Sequence, residues 1–362
     1  MKAVKILLLV LVTWFNASAQ SGAFDSYNTS RFARVIRLGD AYTGVAKGLE
    51  SMFYNTAGLA GINYYGAAFS NGHGIGVMLP NKVTPNDYAA VAPLPENLGT
   101  VGFSVNSLAF KYDGFFEESQ TIYAVHYARK VIDKLSLGIS ADYYVDNNNS
   151  LLLHFGQLPK EVTGKAFDLS LSALYQFPEA VLLTPRDEFQ IGVHFRNVLN
   201  TKMSYSETSA KDPLSQNIRT GLSYTFVPSI QKIYDLEPVR FMAAFDAVFY
   251  GADYKFNEWK PNYGLELTLL EILQLSFGRE NELQINNLWD YSPQYPVNRY
   301  GFGINIPVNR ILNLKNMLEL DLNYSLSDWQ KVDESNPPYY IEIQKKALIN
   351  KDAFSMSVKF ML

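Results

Sequence analysis

Hydrophobic and polar residues alternate one by one along most of the chain after Gly61. The clearest run is Leu318 to Leu326, where leucine and tyrosine alternate with glutamate, aspartate, asparagine and serine. A period of two residues is that of a β-strand whose two faces meet different surroundings. Because the pattern recurs without intervening helical segments, it predicts an all-β antiparallel sheet that closes into a transmembrane barrel, apolar outside and polar inside.

The alternation divides into fourteen segments. Their length of about 10 residues suits a tilted strand that crosses a bilayer, whereas strands of globular proteins are about half as long. The predicted strands span residues 62–70, 87–93, 98–110, 121–129, 134–146, 165–176, 187–197, 217–226, 239–250, 261–270, 272–280, 297–306, 317–326 and 353–361.

The connections between these strands predict the orientation of the barrel. Mostly short connections follow the even-numbered strands, such as Pro95 to Asn97 and the single residue Glu271. Bacterial outer-membrane barrels have short turns in the periplasm and long loops outside, so both termini are predicted to be periplasmic. Long connections follow the odd-numbered strands, at 71–86, 147–164, 198–216, 281–296 and 327–352.

The start of the chain predicts a cleaved signal peptide. Lys2 and Lys5 supply positive charge, residues 6–15 are apolar, and Ala17 to Ala19 form a small-residue cleavage site. Cleavage would leave 29 basic and 35 acidic residues, a formal charge of −6, which argues against a nucleic-acid partner. The chain has no cysteine, which excludes disulfides and thiolate catalysis. Its 24 tyrosines and 23 phenylalanines suit the aromatic girdles of a membrane barrel.

Residues 20–61 do not alternate and are rich in glycine and small side chains. They contain Ala33-Arg34, Leu38-Gly39, Ala41-Tyr42 and Val45-Ala46, followed by Asn55-Thr56-Ala57-Gly58-Leu59. This stretch resembles the N-terminal signature of the PorV/PorQ-type proteins, within the wider FadL-like superfamily of outer-membrane transport proteins. The chain departs from the signature at Thr56, where proline is usual, and at Asp40, where glycine is common. FadL-like barrels have fourteen strands, which agrees with the separate count above.

A segment of this kind ahead of a barrel predicts a plug folded into the lumen. The predicted organisation is a signal peptide at 1–19, an N-terminal plug at 20–61 and a transmembrane barrel at 62–362.

Three arginines of the plug recur every third residue and need acidic partners in a polar lumen. The alternative is a solvated basic face on a periplasmic segment. The predicted contacts between plug and lumen are Arg31, Arg34, Arg37 and Asp40 on the plug, with Asp142, Asp168, Asp246 and Asp321 on inward strand faces.

Other polar residues carry weaker predictions. Asn55 and Gly58 both tolerate a left-handed backbone, so they predict a turn between plug and first strand. His126, His194 and Arg196 fall on inward faces and predict a polar network in the lumen. The histidines lack metal-ligand spacing, and no nucleophile motif is present, so neither a metal, a cofactor nor enzyme activity is predicted.

Two long loops mix aromatic residues, amides and prolines, at 281–296 and 327–340. They predict either a binding rim at the mouth or loops that fold over the mouth and pack on one another. The three leucines at 151–153 are an apolar cluster that is either a hydrophobic capture site or the core of its own loop.

Two functions follow from the resemblance. The FadL-like superfamily implies passive transport of hydrophobic small molecules across the outer membrane. The PorV/PorQ-type family implies a role in type IX secretion, in which the barrel would bind exported proteins or the translocon. The expected partners are therefore outer-membrane lipid and either a hydrophobic ligand or secretion-system proteins.

Overall fold

The structure is a computed structural model that describes most of the chain from Phe32 onwards. The predicted signal peptide, Arg31, the leucines at 151–153 and most of the predicted loop 327–352 lie outside the described residues. The described ranges are 32–73, 82–112, 116–150, 162–177, 183–184, 186–206, 211–233, 236–252, 254–287, 290–311, 318–327 and 352–360.

The described strands, numbered in chain order, follow the predicted alternation. They are β1 Tyr65–His73, β2 Lys82–Pro93, β3 Thr100–Tyr112, β4 Phe116–Ile132, β5 Leu135–Ser150, β6 Val162–Phe177, β7 Glu188–Arg196, β8 Lys202–Tyr205, β9 Lys211–Pro213, β10 Gln216–Phe226, β11 Val239–Ala252, β12 Lys255–Leu269, β13 Leu273–Asn287, β14 Asp290–Pro307, β15 Leu318–Ser327 and β16 Asp352–Phe360. The described helices are α1 Ala33–Arg37, α2 Ser51–Tyr54 and α3 Val308–Ile311, with 3-10 helices at Thr56–Gly61 and Pro95–Asn97.

Fourteen of these strands form one closed antiparallel barrel, which confirms the predicted fold class. Each pairs with the next along the chain, β7 with β10 across the short strands, and β16 returns to β1. The closing ladder runs without interruption from Tyr65↔Phe360 to His73↔Asp352. None of the helices in the described part of the chain is long and apolar enough to cross a membrane.

Side chains on the strands separate into an outer apolar face and an inner polar face. On β5, Leu137, Ile139 and Tyr143 are exposed on the outside, whereas Ser140 and Asp142 are buried on the inside. A β-strand turns successive side chains to opposite faces, so the period of two in the sequence becomes this separation. A barrel with an apolar outer surface is suited to a bilayer.

The two ends of the barrel differ in their connections. One end carries connections such as the two residues between Ile132 and Leu135, and both ends of the strand series lie there. We call it the turn end and the opposite one the loop end. The predicted loop at 281–296 is wrong, because β13 continues to Asn287 and β14 begins at Asp290. Backbone hydrogen bonds continue this hairpin beyond the alternating residues, since a ladder does not require an apolar face.

The chain breaks after β7 and then forms the short strands β8 and β9. Strand β8 pairs with the loop-end part of β6, and β9 pairs with β8. At the break, Asn197 and Asn200 adopt left-handed φ values of 57° and 54°, which asparagine tolerates better than most residues. The carboxylate of Asp168 accepts the backbone N–H groups of Leu199 and Thr201 at 2.8 and 2.9 Å. This buried aspartate therefore holds the irregular turn in place.

The ladder between β12 and β13 covers only half of both strands. Pairing runs from Leu269↔Leu273 to Tyr263↔Arg279, although both strands continue toward the loop end. Pro261 lies just beyond the last pair and has no N–H group to donate to a ladder. Within the described residues, the regular pairing of β12 with β13 therefore ends at Tyr263↔Arg279 on the loop-end side, and we call this end of the ladder the separation between β12 and β13.

Candidate functional site

Residues 32–62, here called the N-terminal segment, fill the middle of the barrel. Within the segment only Arg34, Lys47, Gly48, Ala60 and Gly61 are not buried. Its side chains form an apolar core together with small inward-facing side chains of the strands, such as Ala68 and Ala244. In this core the rings of Phe32 and Phe53 lie 5.1 Å apart and those of Tyr42 and Tyr54 lie 5.8 Å apart. The segment is thus a packed unit inside the barrel rather than a loose chain.

The segment passes around the inner wall in the reverse of strand order. Helix α1 packs against β13 to β16, and Leu38 and Gly39 then lie on β12 and β13. Thr43 and Gly44 lie on β7 and β10, and the 3-10 helix at Thr56–Gly61 packs against β3 to β6. The chain then enters β1 itself.

Inward-facing glycines of the strands allow the backbone of the segment to contact the wall closely. A Cβ at Gly192 would overlap the carbonyl oxygen of Thr43, and a Cβ at Gly278 would overlap the backbone nitrogen of Gly39. Only a residue without a side chain allows two backbones to approach this closely. A Cβ would likewise come within 2.9 Å of segment atoms at Gly102, Gly138, Gly221 and Gly264. These six glycines, which we call the glycine belt, lie on β3, β5, β7, β10, β12 and β13.

One ion-pair cluster ties the start of the segment to β12. The carboxylate of Glu266 accepts hydrogen bonds from Arg34 at 2.8 Å and from Arg37 at 3.1 Å. The side chain of Arg37 is 0 % exposed and also donates to the amide oxygen of Gln274 at 2.5 Å. A charge buried to this degree needs such partners, so the cluster fixes α1 against the wall.

A second cluster ties the middle of the segment to β10 and β11. Arg219 donates to Asp40 at 2.8 Å and contacts Asp246 at 3.4 Å. Asp246 in turn accepts the backbone N–H groups of Tyr42 and Thr43 at 3.0 and 2.9 Å. One arginine thus joins a carboxylate of the segment to a carboxylate of the wall.

A third group of charges lies on the wall beside the second. The carboxylate of Glu280 lies 3.5 Å from the ammonium of Lys260 and 3.1 Å from the guanidinium of Arg299. The ammonium of Lys260 also lies 4.0 Å from the carboxylate of Asp40. All of these side chains are at most 3 % exposed. Lys260 and Glu280 also bridge β12 and β13 where their ladder has ended.

Six of the residues predicted as contacts between plug and lumen make contacts of the N-terminal segment in the structure. Arg34, Arg37, Asp40 and Asp246 take part in the clusters above. The Asn55 side chain donates to Thr43 and Ala173 carbonyls at 2.9 and 3.1 Å, and its oxygen accepts the Ala57 N–H at 3.2 Å. A Cβ at Gly58 would overlap the carbonyl of Ala46, so this glycine permits a close contact within the segment.

Three predicted carboxylates have other partners. Asp142 accepts the hydroxyls of Ser170 and Ser140 at 2.8 and 3.3 Å, and Asp321 pairs with Lys359 at 2.5 Å. Asp168 holds the turn after β7. The predicted pairing of these three carboxylates with arginines of the segment is therefore wrong. The strand register places each carboxylate beside hydrogen-bond donors of the barrel itself. Sequence reasoning missed Glu266, although it lies inward in the same alternation as Asp246.

The three predicted polar residues of the lumen surround a cavity of about 10 Å³. His126 lies 2.9 Å from the hydroxyl of Ser104, and Arg196 donates to the carbonyl of Phe53 at 3.3 Å. His194 is 2 % exposed, and neither of its ring nitrogens has a hydrogen-bond partner among the described residues. The volume is about that of one water, so the cavity is not a route through the lumen.

A cluster of apolar side chains lies next to this cavity, toward the loop end. Ile122, Tyr144 and Ala166 on the wall pack with Met203 of β8 and with Leu214, and all are buried. No group of three or more histidine or acidic side chains in the described part of the chain is arranged to hold a metal ion.

Glu50 supplies a pH-dependent prediction within the segment. Burial raises the pKa of its carboxyl, and the positive charge of Arg34 offsets part of that rise. A folded pKa above the unfolded one means that the charged form costs stability at neutral pH. Glu50→Gln should therefore unfold at higher urea concentration than the parent protein at pH 8, and the difference should vanish as the pH falls through the raised pKa. The exposed Glu96→Gln is the control, and a difference independent of pH would contradict the assignment.

No protein-family model and no curated protein matches the chain. Among solved structures, it is similar to a FadL homologue of Pseudomonas aeruginosa, with 9 % sequence identity, 92 % of this chain and 98 % of that chain covered, and a TM-score of 0.50. It is also similar to the CymD monoaromatic hydrocarbon channel, at 12 % identity, 91 % and 97 % coverage and a TM-score of 0.48. The Pseudomonas putida toluene transporter TodX matches at 10 % identity, 96 % and 98 % coverage and a TM-score of 0.46.

The likeness to the FadL homologue shows the fold of the chain. The predicted fold, an antiparallel barrel of fourteen strands, is therefore confirmed, and the FadL homologue shares it. Membership of the FadL-like superfamily, the narrower PorV/PorQ-type assignment and the secretion role stay predictions.

Proposed function

We propose that the protein carries hydrophobic small molecules passively across the outer membrane, and that the N-terminal segment is the plug that gates its lumen. The observation that carries this proposal is the way the lumen is closed. A single continuous segment lies on the glycine belt and is tied to β10, β11 and β12 by the charged groups of Arg219, Asp246 and Glu266. Such a closure can be displaced as a unit. The fold shared with a FadL homologue supports the same reading.

The separation between β12 and β13 offers a route past the plug. At that place the segment contributes Gly39 and Asp40, and no ladder pairs the strands beyond Tyr263↔Arg279 among the described residues. Irregular backbone in a membrane barrel is tolerated only where it faces protein or water, so this separation fits a functional opening. A ligand that moves residues 39–40 would reach the lumen here without breaking a complete strand pairing.

In this proposal the turn end faces the periplasm and the loop end faces outward. The chain would be exported by the predicted signal peptide and would have both termini in the periplasm. The short connections at the turn end support this orientation, because outer-membrane barrels have their tight turns on the periplasmic side.

A second function, as a type IX secretion adaptor, is favoured by one observation. The polar cavity in the lumen has room for about one water, so a ligand has no passage through this cavity. An adaptor that binds exported proteins needs no passage at all. Such a partner would contact the rim of the barrel rather than its interior.

Deleting the gene in the native host separates the two functions. Uptake of a hydrophobic test compound and surface delivery of secreted proteins would be measured in the same strains, with a plasmid copy of the gene as control. The transport proposal expects reduced uptake with normal delivery. Normal uptake with lost surface delivery would overturn it in favour of the adaptor.

A further inference from the structure

A recess on the outer surface near the turn end arises where one small residue lies among large ones. Ala243 on β11 has Phe241 and Phe245 on either side along its own strand face. Across the sheet it pairs with Tyr224 on β10 and Leu265 on β12. A methyl group cannot fill the space between four such side chains, so the surface is hollow at this point.

The recess is a groove of about 510 Å³ that crosses from β10 to β13. Adjacent strands are about 4.8 Å apart, so four strands give the groove a width of about 14 Å. The volume falls in the range of small-molecule pockets, about 300–1,000 Å³. Its walls are apolar and include Phe226, Phe241, Leu265, Leu267, Leu275 and Phe277.

The turn-end edge of the groove adjoins a folded polar connection. The hydroxyl of Tyr224 donates to the carboxylate of Asp187 at 2.5 Å, and Thr184 donates to the carbonyl of Val227 at 3.0 Å. Tyrosine in this position, with an apolar ring and a bonded hydroxyl, is typical of the headgroup level of a membrane protein. The groove therefore begins at the headgroup level and extends into the apolar band.

Two exposed cations lie on the same connections. Arg186 and Lys232 both pair with Glu237, at 2.7 and 3.3 Å, and their side chains are 36 % and 53 % exposed. Arg186 also donates to the carbonyl of Pro228, two residues after Phe226 of the groove wall. The carboxylate of Asp187 is already engaged by Thr184 and Tyr224. Two cations that share one acceptor keep hydrogen-bonding capacity for an anionic group.

We propose that the groove binds one acyl chain of a membrane phospholipid, with the phosphate of that lipid beside Arg186 and Lys232. An apolar recess at membrane depth with cations at its headgroup edge matches an amphiphile that has one long chain and one negative charge. A transported hydrocarbon has no anionic group that could pair with the two cations. This site lies on the outer face and does not depend on the function proposed above.

The test measures how much phospholipid stays bound to the purified barrel. The full chain is extracted from membranes in mild detergent, washed exhaustively, and its bound lipid is quantified by phosphorus assay and mass spectrometry. Ala243→Phe, which fills the recess, should lower retention about tenfold, because it removes contact with a few methylene groups. Ala141→Phe, the same change at an outward position of β5, should retain lipid as the parent protein does. Lys232→Glu should also lower retention.

Each other outcome would overturn the proposal. Equal phospholipid in Ala243→Phe and the parent protein would show that the groove does not hold the lipid. A bound hydrophobe without phosphorus, or a dimer of the parent protein that Ala243→Phe dissociates, would assign the groove to a different occupant. Ala243→Leu provides a smaller filling residue, and heat-dependent migration on denaturing gels confirms that each variant is folded.

Discussion

Arg219→Met should lower the free energy of unfolding by about 3–5 kcal/mol, the cost of leaving buried charges without their partner. Arg219 is 7 % exposed and is the cation that joins Asp40 of the segment to Asp246 of the wall. Its removal leaves the buried carboxylates of Asp40 and Asp246 without the cation that joins them, and Lys260, at 4.0 Å from Asp40, is a more distant partner. The expected result is a lower midpoint of urea unfolding, together with protease cleavage inside the N-terminal segment.

The control for this prediction is Arg129→Met, which removes the same type of side chain from an exposed position of β4. An exposed substitution of this kind should change stability by about 0.5 kcal/mol at most. Adding Asp40→Asn to Arg219→Met should restore part of the loss, because one of the two buried negative charges is then removed. Equal losses in Arg219→Met and Arg129→Met would show that the cluster does not hold the segment.

Gly192→Ala should open the lumen without unfolding the barrel. The added methyl group would overlap the carbonyl of Thr43, so either the wall or the segment must move. Overpacking of this kind costs about 1–3 kcal/mol. A cost of about 2 kcal/mol borne by the closed state raises the ratio of open to closed barrels about 30-fold. The expected result is increased conductance of the purified protein in planar bilayers.

Gly61→Ala is the matched control, because a Cβ at Gly61 meets nothing within 4 Å. It should leave the conductance unchanged. Gly278→Ala, at the β13 position of the glycine belt, should behave as Gly192→Ala does, since its Cβ would overlap the backbone of Gly39. Unchanged conductance in both belt variants would mean that the segment does not depend on these close contacts.

The sequence predicts the barrel well because its period of two residues is set by the strand itself. Each of the fourteen predicted segments overlaps an observed barrel strand. The predicted loop at 281–296 is wrong because β13 and β14 stay paired out to Asn287↔Asp290, past the last alternating residues. Beyond the apolar band the ladder continues through backbone hydrogen bonds, which leave little trace in the pattern of side chains.

The contacts of the N-terminal segment were harder to predict. The inward position of Glu266 was readable from its alternation with Leu265 and Leu267, but the choice among inward carboxylates depends on the path of the segment around the wall. That path is set by close backbone contacts at glycines such as Gly192 and Gly264. Glycines at inward positions of otherwise regular strands indicate where another backbone can approach the wall. They do not indicate which residue of the segment lies against each glycine.

The measurement that tests the gating proposal most directly is transport through a cross-linked barrel. The chain has no cysteine, so Asp40→Cys and Asn262→Cys introduce one defined pair, at side chains whose Oδ2 and Nδ2 atoms lie 3.2 Å apart. A short reducible thiol cross-linker would tie the segment to β12 in cells, with the two single-cysteine variants as controls. The account predicts that cross-linking stops uptake of a fluorescent hydrophobic probe and that reduction restores it. Efficient cross-linking with undiminished uptake would contradict the role of the N-terminal segment as the gate.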